Sequence, residues 1–300
     1  MKERVSSLME IRNVKVYSHT NPEAKQILQK NPRIAQQIEA SKLPFWVFSL
    51  NYNPIGVVLF GKEPMQLLAS PGTPMALVAL IDSKLSEENM EAFASETLKL
   101  VTQENVEYAL VILPFNEDVA INQFKKVNFK EFDDEYRMVC QLDKIFNPSE
   151  ELQFIQVKRE EMRQFAKLAE KFLHDSPDVA LREALKHILE LSDEFLDSWY
   201  STEKFYLARK GKQTVGILSF DTAKGLISGM GVDSQQRGKG YGRQIMLFAL
   251  ERLRKDDCEK AYLRVHVQNE PAIHLYESLG FTIAERNKRL IWRKTEQARN

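Results

Sequence analysis

The chain has 300 residues, 43% of them hydrophobic, which suits about two domains with ordinary cores. Its 42 Lys and Arg cancel 42 Asp and Glu, so no global field selects nucleic acid or an anionic membrane surface. The two cysteines, Cys140 and Cys258, offer neither a disulfide framework nor metal-ligand spacing, and no segment reads as a membrane span.

In chain order, a strand is predicted at 14–17, then helices over 22–40 interrupted at Asn31 and Pro32. Apolar runs at 45–50 and 55–60 flank the turn residues 51–54 and predict a hairpin. A strand at 75–82, a helix over 86–102, a strand at 108–113 and a closing helix over 119–127 follow. Pro148, Ser149, Glu150 and Glu151 form a polar, turn-forming linker. Beyond it come a strand at 154–157, helices over 160–174 and 179–200, and a hairpin of 205–209 and 213–220 turning at Gly211. A strand at 226–233, a helix over 244–253, a strand at 261–268 and a helix opening at Pro271 and stopped by Gly280 complete the series.

The order of elements repeats. Setting Phe129 against Phe281 puts Ala120 on Ala272, Phe124 on Tyr276 and Asn128 on Gly280. The two halves differ where chemistry is expected. After the strand ending near Val232, the second half carries Arg237, Gly238, Lys239, Gly240, Tyr241, Gly242 and Arg243; the first half has Ser83 to Asn89 there, with no glycine and two carboxylates. A strand, a glycine turn and a helix N-terminus together make an anion site, because backbone N–H groups and the helix dipole both face the ligand. The spacing is not a Walker loop, since the terminal Lys-Ser or Lys-Thr is absent, and it is not G-x-G-x-x-G. That argues against an ATP- or GTP-binding module.

The pattern Arg237-x-x-Gly240-x-Gly242 resembles the acetyl-CoA loop of the GNAT (GCN5-related) N-acetyltransferases. The downstream strand followed by Asn269, Ala272, Leu275, Tyr276, Gly280 and Phe281 resembles the family's second signature, N-x-x-A-x-x-L-Y-x-x-x-G-F. In detail the resemblance covers about 151–293. It implies an α/β (α+β) fold class: two tandem GNAT-like domains, each a mixed, mostly antiparallel twisted sheet flanked by helices. The first, 1–147, reads as a degenerate copy that does not bind acetyl-CoA; the second, 151–300, reads as the catalytic domain.

The resemblance further implies acetyl-CoA as cosubstrate, no metal, and transfer of the acetyl group to a primary amine of a small molecule, amino acid or protein. Met230, Gly231 and Val232 would supply a backbone N–H to the oxyanion. Tyr276 would protonate the leaving thiolate, with a packing aromatic as its alternative. Asn269 caps its helix and, in the family, also bonds the cofactor arm. Arg237, Lys239 and Arg243 meet phosphate or lie in solvent, and Gln235 and Gln236 are less defined. The general base is the open point: His266 is one candidate, with a half-buried strand histidine as the other reading. Asp221, Asp193, Glu194 and His174 are further acceptor-side candidates. The expected setting is the cytoplasm, because Met1, Lys2, Glu3 and Arg4 are followed by no apolar stretch of signal-peptide length; no nucleic-acid or membrane partner is expected, and a homodimer is left open. A non-catalytic acyl-CoA-binding scaffold is the competing function.

Overall fold

The structure is a computed structural model in which residues 14–63 and 68–294 are described; Met1 to Arg4, the start of the stretch read for a leader, lie outside them. The described chain divides into two compact units.

The first unit holds β1 (Val14–Ser18), α1 (Pro22–Gln29), α2 (Pro32–Ser41), β2 (Phe45–Leu50), β3 (Asn53–Lys62), β4 (Pro74–Leu80), α3 (Glu87–Gln103), β5 (Tyr108–Pro114) and α4 (Asp118–Lys126). Asn21 accepts the Glu23 N–H and Asn31 the Ile34 N–H, capping the helices that Pro22 and Pro32 open, so the interruption expected at Asn31 and Pro32 is the start of a second helix. Neighbouring strands pair antiparallel except β4 and β5, which run parallel. Phe48, Phe93 and Phe124 pack under α3 and α4 on one face; Ile27, Leu28 and Val57 pack under α1 and α2 on the other.

The second unit holds β7 (Gln153–Gln156), α5 (Met162–Leu173), α6 (Val179–Leu185), α7 (Asp193–Thr202), β8 (Lys204–Lys210), β9 (Gln213–Asp221), β10 (Leu226–Val232), α8 (Tyr241–Lys255), β11 (Lys260–His266) and α9 (Glu270–Ser278). The helix predicted over 179–200 is broken: a 3-10 turn spans Ile188–Glu190, and Ser192 starts α7 afresh by accepting the Phe195 N–H. One core lies under α8 and is built on Ile245, Met246, Leu250, Leu263 and Val265. The other lies under α5 to α7 and is built on Phe165, Phe172, Phe205 and Ile217.

Two long strands, β6 (Lys130–Gln141) and β12 (Thr282–Arg293), have no counterpart in the sequence reading, and they decide the division. Residues 135–141 of β6 pair antiparallel with β11, and β6 belongs to the second unit from Asp133 on; residues 287–293 of β12 pair antiparallel with β5 and belong to the first. The compact units are therefore not the successive stretches 1–147 and 151–300. The linker at 148–151 falls inside the second unit, because hydrogen-bonded pairing rather than chain order sets which strand closes each sheet.

Glu251 anchors the return from β6. It accepts the Phe146 N–H at 3.1 Å and pairs with Arg254 at 2.8 Å, and these contacts hold its carboxyl at about 2. Its contribution is present above the ordinary value of 4.5 and is lost as pH falls toward about 2. Glu251→Gln should cost about 1–3 kcal/mol near neutral pH. The deficit should shrink on acidification, as read from urea midpoints across that range; an equal deficit at both ends would assign the effect to packing.

Candidate functional site

The site begins with a failure of two parallel strands to pair. β10 and β11 share a single register pair, Leu226↔Tyr262, closed by the Tyr262 N–H donating to the Gly225 carbonyl at 2.8 Å. Beyond it each strand is held only by its outer neighbour. β10 follows β9 to Val232↔Gly216, and β11 follows β6 to His266↔Glu135. The inner edges of Met230, Gly231 and Val232 thus face an open slot with backbone polar groups unladdered, and an extended chain carrying amides would satisfy them as an added strand does. Gly231 is needed for close approach: a Cβ there would lie 2.9 Å from Leu173 Cδ2 and 3.1 Å from Phe172 Cβ of α5. In the first unit the equivalent parallel pair stays closed, from Met75↔Tyr108 to Ala79↔Ile112.

The slot leads to the glycine loop. Gly238 and Gly240 hold φ of 78° and 82°, and a Cβ on either would project into open space. The first helical backbone bond of α8 is Gln244 N–H to the Gly240 carbonyl, at 3.2 Å. The N–H groups of Tyr241, Gly242 and Arg243 precede it and have no helical carbonyl to reach. With no acidic residue in that first turn, the dipole end is open to an anion. The corresponding helix α3 is instead capped by Ser86 and carries Glu87 and Glu88 in its first turn, so its own carboxylates occupy the dipole end.

The basic side chains divide. Arg237 is held by partners within the protein. It forms a two-pronged pair with Asp175, with contacts of 2.5 and 2.9 Å, and donates to the carbonyls of Phe172 at 3.0 Å and Val232 at 3.3 Å. The pair holds the Asp175 carboxyl below its usual range. Arg237 thus ties the end of α5 to the loop. Lys239 is exposed and donates to Gln236 Oε1 at 2.8 Å, while Arg243 donates to Ser278 Oγ at 2.8 Å, linking α8 to α9.

Asn269 is the N-cap of α9 and accepts the Ala272 N–H at 3.4 Å. Tyr276 is buried in the core under α8 with Phe281, ring centroids 5.9 Å apart. Burial pushes its phenol up to about 12, and among the described residues its hydroxyl has no hydrogen-bond partner. The first unit reproduces the backbone around it. Phe129 N–H donates to the Phe124 carbonyl at 3.0 Å as Phe281 does to Tyr276 at 3.1 Å, and Asn128 shares the positive φ of Gly280.

His266 is buried, 8% exposed. Its Nδ1 accepts the Gln268 N–H at 3.1 Å, and its Nε2 lies 3.3 Å from Asp133 Oδ1. The arrangement assigns the neutral Nε2–H tautomer, and burial lowers the imidazole's pKa. Both ring nitrogens are engaged, so the ring serves the β11–α9 junction. Asp221 spends Oδ1 on the N–H groups of Ala223 and Lys224, at 2.9 and 3.2 Å. Asp193 pairs with Arg163 at 2.8 Å, His174 Nδ1 meets the Lys171 carbonyl at 2.9 Å, and Glu194 is exposed in the first turn of α7. A separate cleft of about 250 Å³ lies among Arg163, Lys167, Leu189 and Leu196 and shares no residue with the loop.

Asp133 and Asp175 had no sequence signal as site neighbours: each acquires its partner across 62 residues of chain or more. Among the described residues no group of three His, Cys, Asp or Glu is placed to hold a metal, and no helix is long and apolar enough to cross a membrane.

Residues 168–281 match the acetyltransferase (GNAT) family. A mycothiol acetyltransferase of Thermobispora bispora is 34% identical over 95 residues, 29% of this chain and 32% of that protein. An N-alpha-acetyltransferase 30 of Xenopus laevis is 33% identical over 103 residues, 32% of this chain and 36% of that protein. The matched stretch therefore spans about a third of the length of these relatives. In fold, a GCN5-related N-acetyltransferase from Sphaerobacter thermophilus superposes with a TM-score of 0.64 at 11% identity, covering 94% of this chain and 96% of that one. A tandem GNAT protein from the clavulanic acid biosynthesis pathway gives 0.58 at 13% identity, covering 93% and 98%.

Proposed function

We propose that the second unit is an acetyl-CoA-dependent N-acetyltransferase that transfers an acetyl group to a primary amine by direct attack. The observation that carries this is the slot between β10 and β11 running into the unoccluded N-terminus of α8. The pantetheine arm, with its two amides, fits the unladdered edge at Met230 to Val232. The diphosphate fits the N–H groups that open α8, with Gly238 and Gly240 keeping side chains out of its path. Lys239 and Arg243 are exposed at the rim of that loop and suit the remaining phosphate. Arg237 positions the loop through Asp175.

In the reaction, a neutral amine attacks the acetyl carbonyl, and a backbone N–H of 230–232 receives the developing oxyanion. The C–S bond breaks with its electron pair on sulfur, Tyr276 gives its phenolic proton to the thiolate, and the proton that the attacking nitrogen loses as the C–N bond forms restores the phenol. The acceptor is a small-molecule or protein amine; the matched relatives are a mycothiol acetyltransferase and an N-alpha-acetyltransferase 30. The first unit is read as a degenerate copy: its parallel strands stay paired, its helix end carries Glu87 and Glu88, and Phe124 stands where Tyr276 stands. A scaffold that binds acyl-CoA without turnover is the second reading, favoured by the engagement of both His266 ring nitrogens.

Calorimetric titration of the full chain with acetyl-CoA is expected to give one site per chain. Two sites would overturn the reading of the first unit, and no binding would overturn that of the second. ATP should give no heat, since the loop lacks the Walker lysine and hydroxyl.

A further inference from the structure

The proposed reaction needs a group to take the proton from the acceptor's ammonium, and neither His266 nor Asp221 is free to do so. A different set of side chains is arranged for it. Ser228 sits at a β-bulge in β10, where the register with β9 slips between Ile227 and Gly229. Bulges re-aim side chains and recur beside reacting centres. Here the Ser228 hydroxyl lies 2.8 Å from Ser219 Oγ and donates to Glu203 Oε2 at 2.5 Å.

A hydroxyl has one proton and two lone pairs. Ser228 gives its proton to Glu203, so Ser219 is the donor to Ser228, and one lone pair of Ser228 remains. The chain thus has a direction, and its end is a carboxylate. Its place fits as well. Ser228 lies two residues before Met230 on the strand that borders the slot. Ile217, two residues from Ser219, packs under α5 to α7, the sheet face against which Gly231 meets α5. Ser219 is buried, Glu203 is half-buried and Ser228 is exposed, so Ser228 is the accessible member of the three. Two cations lie near Glu203. Lys224, in the β9–β10 turn, pairs with Asp221 at 2.8 Å, and Lys204 pairs with Asp256 at 2.7 Å. Neither forms an ion pair with Glu203 among the described residues.

We propose that Ser228 is a catalytic residue that relays the acceptor's proton to Glu203. The inference rests on the acetyltransferase reading of this unit. An N–H bond of the ammonium breaks and its proton joins Ser228 Oγ, while the Ser228 proton moves to Glu203 Oε2. An ammonium and a carboxylate become an amine and a carboxylic acid. The freed nitrogen lone pair forms the C–N bond, the C–S pair leaves on sulfur, the amine's second proton ends on the thiol, and Glu203 returns its proton to water. Glu203 acts through Ser228 and is a positioning and proton-storing residue.

Glu203→Gln keeps the size and an acceptor oxygen for Ser228 but removes the proton sink. The full chain would be assayed by thiol release from acetyl-CoA with glycinamide as probe amine, from about pH 6 to about pH 10. Acetyl-CoA affinity would be measured calorimetrically on the same samples as the control for folding and for the slot. The expected result is a fall in kcat/KM of about 100-fold near neutral pH that closes as the probe amine deprotonates in solution, with affinity unchanged. Ser228→Ala should share the defect and Ser228→Thr should relieve it. A Glu203→Gln rate that tracks the wild type, or one offset equally at every pH, would overturn the relay while leaving the acetyltransferase standing. Acetyl-CoA binding without thiol release by the wild type would overturn both. No acetyl-CoA binding would overturn the slot itself.

Discussion

Gly240→Val is expected to weaken acetyl-CoA binding by at least about 100-fold, close to 2.7 kcal/mol. Two effects combine. Gly240 holds φ of 82°, a conformation that costs an L-residue about 1–2 kcal/mol and a β-branched one more. A Cβ at this position meets no protein atom within 4 Å, so the side chain projects from the N-cap of α8, beside the N–H groups where the diphosphate is proposed to lie. That same openness is why the second unit should remain folded, since no core contact is displaced. Calorimetry with acetyl-CoA, beside a thermal melt, separates the two effects. Unchanged affinity would overturn the loop's role, and a lost melting transition would shift the test to Gly238→Ala, whose φ of 78° and open surroundings are equivalent.

Tyr276→Phe is expected to slow turnover about 10- to 100-fold while leaving acetyl-CoA affinity within about twofold. The ring packs in the core with Phe281 and the substitution keeps that packing. Only the hydroxyl is removed, and among the described residues it has no partner to lose. The sign of the pH effect follows from burial. The phenol is pushed up to about 12, so it stays protonated, and able to donate, through the whole neutral and alkaline working range. The wild-type rate should therefore show no alkaline limb from this residue below about pH 11. A phenol this weak as an acid assists a thiolate of pKa about 8.5 only in direct contact, which is why the expected loss is moderate. An unaltered rate at every pH would leave Tyr276 as a packing residue, as Phe124 is in the first unit.

The readings from sequence that match the folded chain are local ones. Asn31 before Pro32, Asn269 before Pro271 and the glycines around Lys239 act through their own backbone or that of the next turn, so each marks its helix start wherever the chain goes. The apolar runs at 45–50 and 55–60 marked the hairpin for the same reason. Ser192 carried an equally local cap signal, and the long apolar periodicity over 179–200 masked it. β6 was illegible because Glu131, Asp133, Asp134, Glu135 and Arg137 make it read as a polar loop. Its partner β11 lies over a hundred residues away and supplies the pairing that propensity does not.

Local chemistry alone was enough for the glycine loop, for the order of strands and helices in both halves, and for the recurrence of Phe124 and Phe129 at Tyr276 and Phe281. These depend on dihedral preference, capping and periodicity within a few residues. It took folding to make β10 and β11 part after Leu226 while β4 and β5 stay paired. Folding likewise assigned 133–141 and 287–293 to sheets other than those of their own halves, set Arg237 on Asp175, and turned Ser228 onto Glu203. A hydrogen bond needs its partner within about 3 Å, and for these groups the folded chain, not sequence neighbourhood, brings the partner there.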